Sequence, residues 1–316
     1  GPLMTPARAT LAGLAGLVAL VALALSVGAQ GFGMGDGGAW ALLRAPRVLA
    51  ALAAGLALGI GGAAQQGVFR NPLADPGLTG VFGGALFGIA LLLGIAPEAA
   101  WQRAWFLPAA AFAGALGTSA LLVLCGRGGS SARLLLTGLG LNAFTAAGTL
   151  VIASRSGESR ELLTNGAFGD WLGMATFELT WLPILLCFAA TLLLLPSARA
   201  LDLLAFGEDA AQGFGVDVGG ARRNAVLLTA LAAAAATCLV GQVAFIGLLA
   251  PHLARKIVGP RHAWVLPCSA FLGAALLLGA DTLGRGLWPQ APLSAAAVTA
   301  VLGAPLFIWI ARGRHE

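Results

Sequence analysis

The sequence predicts an all-α polytopic membrane protein of about ten transmembrane helices, on three observations. Hydrophobic residues fill 59% of the 316 positions and charged residues 10%, against roughly a quarter charged in soluble domains. Uncharged runs such as Leu11 to Val27, Val48 to Val68, Ala104 to Cys125 and Ala263 to Ala280 each approach the ~20 residues that cross a bilayer. Ten spans of about 20 residues would leave roughly a third of the chain for short loops. That leaves no room for a folded soluble domain, so residues 4–316 read as one transmembrane domain and a water-soluble enzyme is excluded.

Gly1-Pro2-Leu3 ahead of Met4 reads as a remnant of tag cleavage. The apolar run after Arg8 extends to Val27 without a small-x-small cleavage site, which reads as a retained first span. Glycine, proline and charge punctuation then places helices near 10–29, 46–69, 78–95, 104–125 and 134–153. Five more follow near 178–195, 224–243, 245–257, 264–286 and 295–311, the eighth too short to cross unaided. With both termini cytoplasmic, the inner loops gather Arg8, Arg70, Arg127, Arg133, Arg199, Arg222, Arg223, Arg255, Lys256, Arg261, Arg312 and Arg314, twelve of the 18 Lys and Arg residues. That bias obeys the positive-inside rule. The net charge of +5 therefore reflects topology and anionic lipid, since no basic run is interleaved with stacking aromatics as nucleic-acid binding would require.

Several chemistries are missing. Lys256 is the only lysine and no glycine-rich loop precedes it, so this chain has no P-loop for nucleotide. It also lacks H-E-x-x-H and G-x-S-x-G, which removes the usual intramembrane hydrolases. His252, His262 and His315 are not accompanied by further ligands, and Cys125, Cys187, Cys238 and Cys268 lie in or beside apolar runs at no metal-ligand spacing. No cofactor is expected in this chain. Gly55-xxx-Gly59, Gly80-xxx-Gly84 and Gly84-xxx-Gly88 are packing signals, because small residues on one face let helix backbones approach where lipid supplies no hydrophobic drive.

Three segments could carry function. Arg70-Asn71-Pro72-Leu73-Ala74-Asp75-Pro76-Gly77 contains two prolines, which remove two backbone donors and force a non-helical turn. At a membrane border such a turn must be satisfied by protein or a water cavity. The connection from Pro196 to Arg223 is the longest inner one. Leu201, Leu204, Ala205 and Phe206, followed by Gly207-Glu208-Asp209, suggest short amphipathic surface helices with a face free for another protein. At the outer side, Arg44, Arg47 and Arg285 lie at helix ends, the first two beside Pro46 at a helix start, where a cation opposes the dipole. They answer anionic groups from elsewhere, either lipid headgroups or carboxylates of a docking protein, with Asp281 four residues before Arg285 partly neutralising one.

At these residues the chain resembles the FecCD-like, type II permease subunits of ATP-binding-cassette importers for iron chelates, haem and cobalamin. The resemblance covers nearly the whole chain. It rests on Arg44-Ala-Pro-Arg47, Gly62-Ala-Ala-Gln65-Gln66, the Arg70 to Gly77 turn, Leu203-Leu-Ala-Phe-Gly-Glu-Asp-Ala210, Phe245-Ile-Gly-Leu-Leu-Ala-Pro-His-Leu-Ala-Arg255 and Leu302-Gly-Ala-Pro-Leu-Phe307. It implies a homodimer in the bacterial inner membrane, with the translocation path on the twofold axis. It further implies a cytoplasmic ATPase dimer that binds ATP and Mg, and a periplasmic substrate-binding protein. By the same resemblance Asn71 and Leu73 form the cytoplasmic gate. Leu201, Leu204, Phe206, Gly207, Glu208 and Asp209 couple to the ATPase, and Arg44, Arg47 and Arg285 pair with glutamates of the binding protein. Where the family often has Glu-Leu-Pro-Ile/Val-Gly, this chain has Gln290-Ala-Pro-Leu-Ser294, which puts that loop's acidic contact in question. Among cargoes the resemblance ranks haem first, ferric siderophore second and cobalamin third. An ATP-independent carrier would need ionisable groups at the midplane, and the expected spans hold almost none away from their ends.

Overall fold

The computed structural model describes residues 6–28, 31–32, 44–96, 105–125, 131–155, 171–287 and 292–312. The helices are α1 (Pro6–Ser26), α2 (Ala45–Phe69), α3 (Val81–Ile95), α4 (Phe106–Cys125), α5 (Ser131–Arg155) and α6 (Phe177–Leu194). They continue as α7 (Ala198–Ala205), α8 (Glu208–Gly213), α9 (Val218–Val240), α10 (Ile246–Val258), α11 (His262–Leu287) and α12 (Ala295–Arg312). Short 3₁₀ turns lie at Pro76–Thr79, Trp171–Met174 and Leu195–Ser197, and Val27–Gly28 pairs antiparallel with Gly31–Phe32. The fold is all-α in class.

Each expected apolar segment coincides with one helix. Among the described residues, six stretches are long and apolar enough to cross a membrane: α2, α4, most of α5, α6 running on into α7, α9 and α11. Gly13–Ser26, Val81–Ile95 and Ala295–Pro305 are apolar but shorter. The 13 residues of α10 rise only about 20 Å, short of the ~30 Å hydrocarbon core. One boundary departs clearly: α9 begins at Val218 rather than 224, because the Asp217 side chain accepts from the Gly220 N–H and caps the helix early. Arg222 and Arg223 therefore lie on a helix and not in a loop.

α2 is buried almost all round and forms the axis of the bundle, packed on α11, α9, α6 and α10. Its glycines explain how. A Cβ added at Gly55 would sit 2.5 Å from the Gly273 carbonyl oxygen; at Gly59 it would strike the Ser269 backbone, and at Gly62 that of Gly247. The α3–α4 pair repeats this with Gly84 and Gly88 against Gly114 and Ala110. Gly80 is different. It precedes α3 in the left-handed region at φ 86°, so it serves the turn and not a helix face. Gly59→Val should lower the melting temperature of the purified protein and reduce its membrane yield, a cost of about 1–3 kcal/mol or more for overpacking a backbone contact. An unchanged thermal melt in detergent would show that the α2–α11 approach is not needed.

The surface has the inverse of a soluble pattern. Leu136, Leu139, Phe144 and Leu150 of α5, and Leu182, Leu185, Leu192 and Leu193 of α6, are exposed, as a lipid solvent requires. Trp105, Trp181 and Trp264 are exposed near helix ends, where amphipathic rings favour the headgroup level. The functional segments separate to opposite ends of the bundle. One end gathers the last turn of α1, the start of α2 and the end of α11. The other gathers the turn after α2, both short helices α7 and α8, the end of α10 and the start of α11.

Candidate functional site

At the second end, α2 stops in a left-handed cap. Arg70 has φ 46° and ψ 35°; its N–H donates to the Gly67 carbonyl at 3.3 Å, and the Asn71 N–H donates to that of Gln66 at 3.2 Å. Asn71 then folds the chain on itself. Its Oδ1 accepts the Leu73 N–H at 3.0 Å, and its carbonyl accepts the Ala74 N–H at 3.0 Å. Asp75 Oδ1 accepts the Gly77 N–H at 2.7 Å and starts the 3₁₀ turn. Asn142 of α5 donates from Nδ2 to the Gly77 carbonyl at 2.8 Å. The polar backbone that the two prolines strip from a helix is thus satisfied by protein, as membrane burial demands. Leu73 stays 42% exposed, an apolar side chain held out on a rigid turn.

The turn also abuts α10. A Cβ at Gly247 would lie 2.8 Å from Asp75 Oδ2 and 2.9 Å from Pro76 Cδ. Further along that interface, Arg255 donates to Gln66 Oε1, and Gln66 Nε2 donates to the Gly247 carbonyl at 3.3 Å.

Beside the turn lie α7 and α8, and here one expectation needs correction. Leu201 and Leu204 are buried among Leu194, Val218, Ala225, Val265 and Leu266 of their own chain, so they anchor α7 and offer nothing to a partner. An amphipathic pattern states that one face is covered, not by what. The free corner is Phe206, 80% exposed, with Gly207 at φ 116° turning the chain into α8. Asp209 is exposed, and Glu208, in the first turn of α8, pairs with Arg222. Phe214, 71% exposed, joins them; a second aromatic in a polar loop was its only signal in the sequence.

The outer arginines have partners within the chain. Arg47 donates to Asp281 Oδ1 from Nε at 2.9 Å and from a terminal nitrogen at 2.7 Å. Arg285 donates from Nε to Asp281 Oδ2 at 3.0 Å. Its remaining nitrogens donate to the carbonyls of Val27 at 2.6 Å and Ala24 at 3.2 Å, while Arg44 donates to that of Leu25 at 2.9 Å. The Ala24 and Leu25 carbonyls belong to the last turn of α1, which has no helical partners for them, and Val27 follows it directly. Anionic partners for the arginines thus exist within the chain: Asp281, which is 0% exposed, and the negative end of the α1 dipole. Arg285 is itself buried and sits in the last turn of α11, a favourable place for a cation, so its placement is neither adverse nor suited to surface docking. Gln290 lies outside the described residues.

Along nearly its whole length the chain is similar to known transport proteins. The model of the FecCD transport family matches residues 16–313. The hemin transport system permease protein HmuU of Yersinia pestis is 37% identical over 289 residues, covering 88% of this chain and 84% of that protein. The ferric enterobactin transport system permease protein FepD of Escherichia coli (strain K12) is 39% identical over 275 residues, covering 85% and 80%. The cobalamin import system permease protein BtuC of Halobacterium salinarum is 33% identical over 285 residues, covering 86% and 73%. A solved structure described as an inward-facing metal-chelate type ABC transporter superposes with a TM-score of 0.88 at 26% identity, covering 98% of this chain and 99% of that one. A family match over nearly every described helix, together with three relatives above 30% identity, settles the lineage: the chain belongs to the FecCD transport family.

Proposed function

We propose that this chain is the membrane-embedded permease of an ATP-binding-cassette importer that carries an iron chelate inward, with haem the preferred cargo and a ferric siderophore or cobalamin the alternatives. It is a transport subunit and not an enzyme. Its apolar segments, read as about ten with α10 too short to cross unaided, place it in the bacterial inner membrane with both termini cytoplasmic. Two copies enclose the path, so that two Asn71–Leu73 turns face each other at its inner mouth. The observation that carries this reading is the meeting, at one end of the bundle, of a rigid turn presenting Leu73 and an exposed corner at Phe206, Gly207, Glu208 and Asp209, in a chain without a nucleotide loop of its own. Such a corner suits a separate ATPase dimer, which would bind ATP and Mg and deliver its motion there. A periplasmic binding protein would supply cargo at the opposite end.

The experiment is reconstitution in liposomes with the ATPase and binding protein encoded beside this chain, followed by uptake of haemin, ferric enterobactin and cobalamin. ATP-dependent accumulation, greatest for haemin, is the expected result. Equal flux with the ATPase omitted would sink the importer reading, and ATP-driven uptake of cobalamin alone would reassign the cargo.

A further inference from the structure

α7 meets the body of the bundle through a side chain that the sequence did not single out. Asp202 Oδ1 lies 2.8 Å from the His262 backbone nitrogen and 2.8 Å from His262 Nδ1. One oxygen thus caps the first turn of α11 from a different helix and orients the imidazole. A carboxylate only accepts, so the ring proton sits on Nδ1 and Nε2 points away. There it meets α2: a Cβ at Gly67 would lie 2.8 Å from His262 Nε2 and 3.2 Å from Leu201 Cδ2. Nε2 is buried and has no hydrogen-bond partner among the described residues. Its role at that point is contact.

Gly67 is the last lever before the turn. Its carbonyl accepts the Arg70 N–H, and the neighbouring Gln66 carbonyl accepts the Asn71 N–H. A displacement of Gly67 therefore displaces the cap from which Asn71 and Leu73 hang. On the other side, Asp202 lies on α7, two helical positions from the buried anchor Leu204 and one from the buried anchor Leu201, so it moves with the corner at Phe206. A continuous set of close contacts runs from that corner through Asp202, His262 and Gly67 to the turn, and packed contacts of this kind transmit displacement because they cannot compress.

We infer that Asp202 and His262 are positioning residues that make the α7–α8 end and the Asn71–Leu73 turn shift as one body. This rests on the importer reading above, which supplies the force at α7. The hydrogen bonds to His262 set where the ring stands, and the ring sets where Gly67 stands.

The test uses the permease assembled with its ATPase in lipid vesicles and carrying Leu73→Cys. The labelling rate by a water-soluble maleimide is compared without nucleotide and after trapping with ATP and vanadate, with labelling of the native cysteines subtracted using the chain that lacks Leu73→Cys. The parent is expected to change rate by at least about fivefold, the lower end of typical site-to-site coupling. Asp202→Asn keeps an acceptor for both His262 donors and should preserve the response. Asp202→Ala should lose it. His262→Asn retains a donor toward Asp202 but withdraws the ring from Gly67, and should lose the response at a melting temperature near the parent's. A full response in Asp202→Ala or His262→Asn, in a parent that responds, overturns the strut alone. A parent whose position 73 ignores nucleotide overturns the importer reading and the strut with it.

Discussion

Phe206→Glu should abolish ATP-driven uptake while leaving the permease folded. The side chain is 80% exposed, so replacing it costs the isolated chain almost nothing. If it fills a pocket on the ATPase, its loss removes about 2–4 kcal/mol, the scale of an aromatic hot spot, or roughly a thirtyfold or greater weakening of the complex. Co-migration with the ATPase on size exclusion would fall together with uptake, at an unchanged melting temperature. Asp209→Arg, also exposed, should act in the same direction through charge. The two anchors give the opposite signature: Leu204→Ala would lower stability by about 2–5 kcal/mol before any partner is added. Wild-type uptake by Phe206→Glu would remove this corner from the coupling surface.

The second large effect lies at the other end. Asp281→Ala should destabilise the permease by up to about 3–5 kcal/mol, because it removes the buried carboxylate that Arg47 and Arg285 share. Asp281→Asn keeps acceptor capacity and should cost less. The loss should appear in the purified permease alone, as a lower melting temperature and poor yield. A docking role for these arginines predicts otherwise: a stable permease whose uptake fails only when the binding protein must engage. If Asp281→Ala melts like wild type and loses only stimulation by the binding protein, the pairing of Arg47 and Arg285 with Asp281 does not hold the fold together.

Much of the fold was legible because lipid simplifies the reading. A span must be apolar for a fixed length, so the all-α membrane class could be read from composition alone, although among the described residues six stretches and not ten are long and apolar enough to cross. Glycine spacing at Gly55, Gly59, Gly84 and Gly88 announced close helix contacts. The Asn71 turn was equally legible, since two prolines leave a helix no alternative. What periodicity could not assign was the partner of each face. Leu201, Leu204 and Phe206 share one short segment, yet only Phe206 is free, because the covering residues of α6, α9 and α11 lie far away in sequence. The internal partners of the outer arginines were legible only in part: Asp281 stands four residues before Arg285, whereas the carbonyls of Ala24, Leu25 and Val27 that also accept from them leave no mark in an amino-acid string. Asp202 and His262, sixty positions apart, show no local pattern at all.

The long reach of Arg285 back to Val27, 258 positions apart, bears on how the protein is made. At about 5–20 residues per second, the ribosome delivers Arg285 on the order of ten seconds to a minute after α1 has entered the bilayer. During that interval the first helix sits in lipid with its closing carbonyls unclasped, available to the insertion machinery or to proteolysis. Chains interrupted before Asp281 would never acquire the latch.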